Sequence, residues 1–159
     1  MTTTTAVTRP LPSVGAVLAP IHARWAGQVR SFLVPATDIR AEFWSRWGAA
    51  RFLGDQFDRR FHLEGALAHE LEPLMDPEAA ARLRAARAEV ERTRAVLMEV
   101  GRRRGVATVM AGLADRFMER LGFWWGELEA ATTRLDTGDL PAEARRLLDQ
   151  LQIADALAS

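Results

Sequence analysis

Residues 106–135 read VATVMAGLADRFMERLGFWWGELEAATTRL. Within them Val106, Met110, Leu113, Phe117, Leu121, Trp124, Leu128, Ala131 and Leu135 recur in eight steps over 29 residues. That is about 3.6 residues per step, the repeat of a straight α-helix and not the heptad of a coiled coil. Working outward, Thr137-Gly138-Asp139 ends this segment and Leu140-Pro141 opens a shorter helix over 141–157, with Ala144, Leu147, Leu148, Leu151 and Ala154 facing inward.

Upstream, Gly101-Arg102-Arg103-Arg104-Gly105 breaks the pattern. The sharpest start signal in the chain precedes it: Asp76 as N-cap, Pro77 at the first helical position and Glu78 in the first turn. The helix it opens spans 77–100, with a narrow stripe of Ala79, Leu83, Ala86, Val90, Thr93 and Leu97 flanked by charge. Before it, Ile39, Phe43, Ala50, Leu53, Phe57, Phe61, Ala68 and Leu71 keep helical spacing over 38–72. A first helix, over 20–34, starts at Pro20, stops before Pro35 and buries Ile21, Trp25, Val29 and Phe32. The Thr- and Pro-rich segment 1–19 reads as a flexible arm.

No run alternates with period two and no repeat recurs at fixed spacing. The expectation is an all-α fold: a single-domain bundle of four to five amphipathic helices over 20–159, with 38–72 and 106–135 as two long central helices. At 159 residues, 48% of them hydrophobic, such a bundle buries a continuous core without metal or disulfides.

Composition narrows the function classes. Cysteine is absent, which removes disulfides, thiolate chemistry and Cys-based metal centres. All 21 basic residues are arginine and are matched by 21 acids. Lysine, asparagine and tyrosine do not occur; their AT-rich codons point to a GC-rich, bacterial genome as the source of the arginine excess. A formal charge of zero argues against nucleic acid as partner. No stretch has the roughly 20 apolar residues of a membrane span, so a cytoplasmic location is expected.

Three constellations carry candidate chemistry. The first is aromatic: at 100° per residue, Phe123 and Trp125 flank Trp124 on either side, and Trp44 and Phe52 fall outside their own stripe. Either the two long helices touch neighbours on several sides, or these four rings form an intermolecular contact, where aromatic residues are enriched. The second is His62, Glu64 and His69, a candidate metal set. Here Glu64 projects with the core stripe while both histidines lie on another face, and the Glu-x-x-His pairs of a diiron bundle are absent. A buried Glu64 needs a partner, for which an arginine from another helix is the first candidate. The third is Arg102, Arg103 and Arg104 before a helix N-terminus, a place for an anion or an acidic partner segment. No Gly-x-Ser-x-Gly turn, P-loop or dinucleotide fingerprint occurs, which points away from an enzyme and from a bound cofactor. The expected role is a non-enzymatic interaction or assembly protein, a homo-oligomer or an accessory subunit bound to a protein partner. The alternatives are a metal- or ligand-binding bundle and a non-catalytic subunit of a multi-chain enzyme.

Overall fold

The computed structural model describes residues 11–38, 55–102 and 107–158. Among them are five α-helices: α1 (Val14–Asp38), α2 (Phe57–Leu71), α3 (Pro77–Arg102), α4 (Ala107–Ala131) and α5 (Ala142–Ala158). Short 3-10 turns follow α2, at Glu72–Leu74, and α4, at Thr137–Asp139. The all-α bundle expected from periodicity is the fold observed. No described helix is long and apolar enough to cross a membrane.

Helix α4 is the centre of the bundle, with α3 packed on one side and α1 on another, while α2 packs on α5. Arg82 near the start of α3 reaches Glu127 near the end of α4, at 3.4 Å, so these two helices run antiparallel. Phe117, Leu121, Trp124 and Leu128, every third or fourth residue of α4, are buried, as its spacing requires. Phe61 on α2 meets the Trp124 ring edge-on at 6.0 Å, and Phe57 meets Phe117 at 5.3 Å.

The chain's beginning departs from expectation. Residues 11–19 are part of the bundle and not a free arm. Helix α1 starts at Val14, and Val14 and Leu18 have no exposed surface. Ser13 caps the helix, its hydroxyl accepting from the Ala16 N–H at 3.1 Å. The preceding residues are zipped to the turn after α4. Val14 N–H donates to the Leu135 carbonyl at 2.8 Å, and Thr137 N–H to that of Pro12 at 3.2 Å. Pro20 therefore lies inside α1 instead of opening it; Ala16 and Pro20 are both exposed, so the hydrogen bond that proline forgoes lies on the wet side. Pro35 likewise falls within α1.

At the other boundary, α4 stops four residues earlier than its stripe. The Thr132 and Thr133 hydroxyls donate to the carbonyls of Leu128 and Glu129, at 2.7 and 2.8 Å, and satisfy the helix's last acceptors. Gly15 makes the α1–α4 seam possible: a Cβ there would lie 2.5 Å from the Glu129 carbonyl oxygen. The helix expected over 38–72 is described only from its Phe57–Leu71 part, and 39–54 lies outside the described residues.

Candidate functional site

Glu64, on the core face of α2, is 1% exposed, as its place among Phe57, Phe61 and Ala68 requires. Its partners are not the arginine or the neighbouring histidines that the sequence suggested. One carboxylate oxygen, Oε2, lies 2.6 Å from Nε2 of His22 on α1. The other, Oε1, accepts from the indole N–H groups of Trp125 at 3.1 Å and Trp124 at 3.4 Å. The second ring nitrogen of His22, Nδ1, is 2.7 Å from Oε2 of Glu129 on α4. Three helices thus converge on one imidazole, whose ring stacks on Trp125 at a centroid distance of 5.2 Å.

Donor and acceptor counting favours a charged imidazole between two carboxylates. An ionised carboxylate only accepts, so a histidine at hydrogen-bond distance from two of them must donate at both nitrogens, as imidazolium does. Burial works against that charge, but the hydrogen bonds and charges of Glu64 and Glu129 outweigh it and hold the His22 pKa above its ordinary value. Two further cations act on Glu64 electrostatically, Arg60 of α2 and Arg87 of α3. Burial presses both guanidinium pKa values down, while nearby acids, Glu64 among them, hold them up. Arg87 lies over the Phe61 ring at 3.8 Å in space left by Gly65, where a Cβ would come within 2.3 Å of the guanidinium carbon.

Beside this cluster opens a cleft of about 750 Å³, between the second half of α1, the start of α2 and the end of α5. Trp25, Phe57, Phe61 and Trp125 form its apolar wall. Arg60 forms the polar one, its guanidinium 4.4 Å over the Trp25 ring. The hydrogen bonds of Arg60 end on neutral oxygens, the Gln28 side chain at 3.2 Å and the Ala154 carbonyl at 3.0 Å. The Trp25 indole N–H is buried with no hydrogen-bond partner among the described residues. An orphaned donor of this kind costs about 1–3 kcal/mol. A little further along α5, Arg24 forks onto the buried Asp155, Nε lying 3.0 Å from each carboxylate oxygen.

The residues singled out from sequence are distributed differently. Trp125 is 4% exposed and is covered by α1, through His22 and Trp25; it is a core ring and does not face a partner. Phe123 is 55% exposed. Trp44 and Phe52 lie outside the described residues, as do Arg103 and Arg104, and Arg102 is the last residue of α3. His62 and His69 are exposed, so the structure does not bring them to Glu64. Among the described residues no three His, Asp or Glu converge on a point that would hold a metal ion.

Sequence reasoning missed His22 and Glu129. The signal for His22 was its position one turn from both Leu18 and Trp25, inside the apolar face; Glu129 follows Trp125 by one turn. The chain has no match among family models, curated proteins or solved structures.

Proposed function

We propose that this chain is a ligand-binding helical bundle that performs no bond-making chemistry of its own. Its cleft takes a small molecule with an apolar, ring-bearing body and an anionic head. The observation that carries this reading is Arg60: a partly buried cation on the wall of an aromatic cleft, hydrogen-bonded among the described residues only to neutral oxygens. A carboxylate, sulfonate or phosphate placed there gains a charge-assisted contact that Gln28 and a backbone carbonyl do not supply. The aromatic wall supports the other half of the ligand, since pockets of this size are lined mainly by apolar and aromatic groups with a few polar ones. An acceptor within reach of the Trp25 N–H would also recover the cost of leaving it unpaired. Glu64, the one carboxylate on the cleft's lining, has both oxygens engaged by donors of its own chain. That favours a scaffold group over a general base, which needs a free lone pair toward its substrate.

The test uses 8-anilino-1-naphthalenesulfonate, an anionic aromatic probe, titrated into the folded protein and followed by its emission. Saturable binding at one site is expected, weakened about tenfold by Arg60→Gln, the loss of roughly 1.4 kcal/mol. Equal affinity in the variant, or no saturable binding, ends this reading.

A second reading has its own observation. The exposed ring of Phe123 fits the expectation of a protein that self-associates or serves as a subunit of a larger complex, because exposed aromatic side chains are enriched among contact residues. Trp125 no longer contributes to it.

A further inference from the structure

Helices α1 and α2, which wall the cleft, are joined mainly through side chains. Among the described residues, close backbone packing ties α3 to α4, α1 to α4 and α2 to α5, but little of it ties α1 to α2. Side chains span that junction instead: His22 to Glu64, and Arg60 to Trp25 and Gln28. We propose that the Glu64–His22–Glu129 bridge is a proton-counted lock on this junction, closed when both ring nitrogens of His22 carry a proton and loosened when one proton is lost. The lock involves only the protein's own groups and stands whether or not the cleft takes a ligand.

The count is set by geometry. Contacts of 2.6 and 2.7 Å at the two nitrogens are both hydrogen-bond lengths, and a neutral imidazole has one N–H for two carboxylates. Once a proton leaves, a nitrogen lone pair faces carboxylate lone pairs at one end. Glu129 is 31% exposed against 1% for Glu64, so water replaces the contact most cheaply at Glu129. The departing proton passes from Nδ1 through Glu129 to solvent, and the remaining one stays on Nε2, facing Glu64. Glu64 then keeps a hydrogen bond but loses its nearest cation, and a neutral donor is roughly half as strong as a charged one.

The other charges around the bridge do not replace it. Arg60 of α2 and Arg87 of α3 act on Glu64, while the charges acting on His22 among the described residues are Glu64 and Glu129; Asp155 of α5 is hydrogen-bonded to Arg24 and acts on Arg60. With the His22 pKa raised in the fold, the bridge's contribution is complete below the unfolded value of about 6.5. It fades as pH rises through the higher, folded value. The junction is therefore closed on the acid side and loosened on the alkaline side.

The experiment follows ring-¹⁵N-labelled His22 by NMR in the full chain carrying His62→Gln and His69→Gln, which leaves one histidine signal. Both nitrogens are expected to be protonated at pH 6.5, with a midpoint above that value which falls in Glu129→Gln. Hydrogen exchange on the same protein, corrected for its intrinsic pH dependence, reads the junction. Protection of α1 and α2 should drop across the midpoint by about tenfold per unit of elevation, while α3 holds. In His22→Gln that drop should vanish; if His22→Gln does not fold, Glu129→Gln serves, where the drop should shrink. A midpoint at or below 6.5 overturns the proposal, as does unchanged protection of α1 and α2 across it, or an undiminished drop in the variant used.

Discussion

The two sides of α4 are built on different principles. On one side it presents a stripe of apolar residues at helical spacing, buried in a core to which α2 brings Phe57 and Phe61 and α3 brings Leu83, Ala86, Val90 and Leu97. Burial of that stripe follows from periodicity. Toward α1 the same helix presents Trp125 and Glu129, and the contact is completed by His22 and by Glu64 from a third helix. Those groups are separated by 42 and 107 residues in sequence. The apolar side tolerates exchange of one hydrophobe for another of like volume. The polar side does not, because each group there is satisfied by particular partners from other helices. One side of α4 specifies that a bundle forms, and the other fixes which helix lies where.

The strongest way to break this comparison is a double-mutant cycle across the bridge. His22→Leu leaves a buried carboxylate without its cation and is expected to cost about 3–5 kcal/mol in chemical denaturation. His22→Leu combined with Glu64→Leu should recover much of that loss, since an apolar pair of similar volume often replaces a buried ion pair at little cost. In the apolar core, Phe117→Ala should also cost about 3–5 kcal/mol. Adding Phe57→Ala, whose ring lies 5.3 Å from that of Phe117, should bring a further loss and no recovery. If the two cycles behave alike, the bridge is ordinary packing and the distinction between the sides fails.

A smaller effect sharpens the comparison at the backbone. Gly15 sits where α1 crosses α4, and an added Cβ meets the Glu129 carbonyl oxygen at 2.5 Å. That atom belongs to a helix backbone and does not swing aside. Gly15→Ala is therefore expected to cost about 1–3 kcal/mol through displacement of α1. It should also weaken the His22–Glu129 contact, so the His22 midpoint falls in the same variant. The obstacle at Gly65 is the far end of the Arg87 side chain, which can move. A Gly65→Ala loss exceeding that of Gly15→Ala, in the same thermal melts, would show that the Arg87 position and not the α1 seam is the rigid one.

The same contrast explains what the sequence discloses. The apolar side of α4 is legible because a repeat is a statistical signal: Phe117, Leu121, Trp124 and Leu128 announce their burial by spacing alone. Glu64 is legible for the same reason, being an acid on an apolar stripe. Its partner is not, because a polar contact between distant helices leaves no local period. His22 was hidden by one further step. With residues 14–19 read as an arm, Leu18 dropped out of the first helix's stripe, and His22 moved from the middle of the buried face to its edge. Restoring Val14 and Leu18, both without exposed surface, puts His22 between Leu18 and Trp25. Trp125 was misplaced by the reverse error, since an arc too wide for one neighbour is filled by two. The cleft had no local signature at all, its walls coming from four separate helices.

The smallest expected effect concerns the ring that neither side of α4 covers. Phe123 is 55% exposed, and no aromatic contact reaches it among the described residues. An exposed residue away from caps and networks changes folding stability by less than about 0.5 kcal/mol when replaced. Phe123→Ala should therefore leave the unfolding midpoint where it is. Its effect on association is a separate quantity, because truncating a central interface aromatic costs about 2 kcal/mol or more of binding, some thirtyfold in the dissociation constant. Sedimentation velocity over a concentration series separates the two. Dissociation of an oligomer by Phe123→Ala, with the melt unchanged, would assign this face of α4 to a second copy of the chain. An identical sedimentation profile in both proteins would leave Phe123 outside any self-contact, and the self-association reading would lose the one described side chain that supports it.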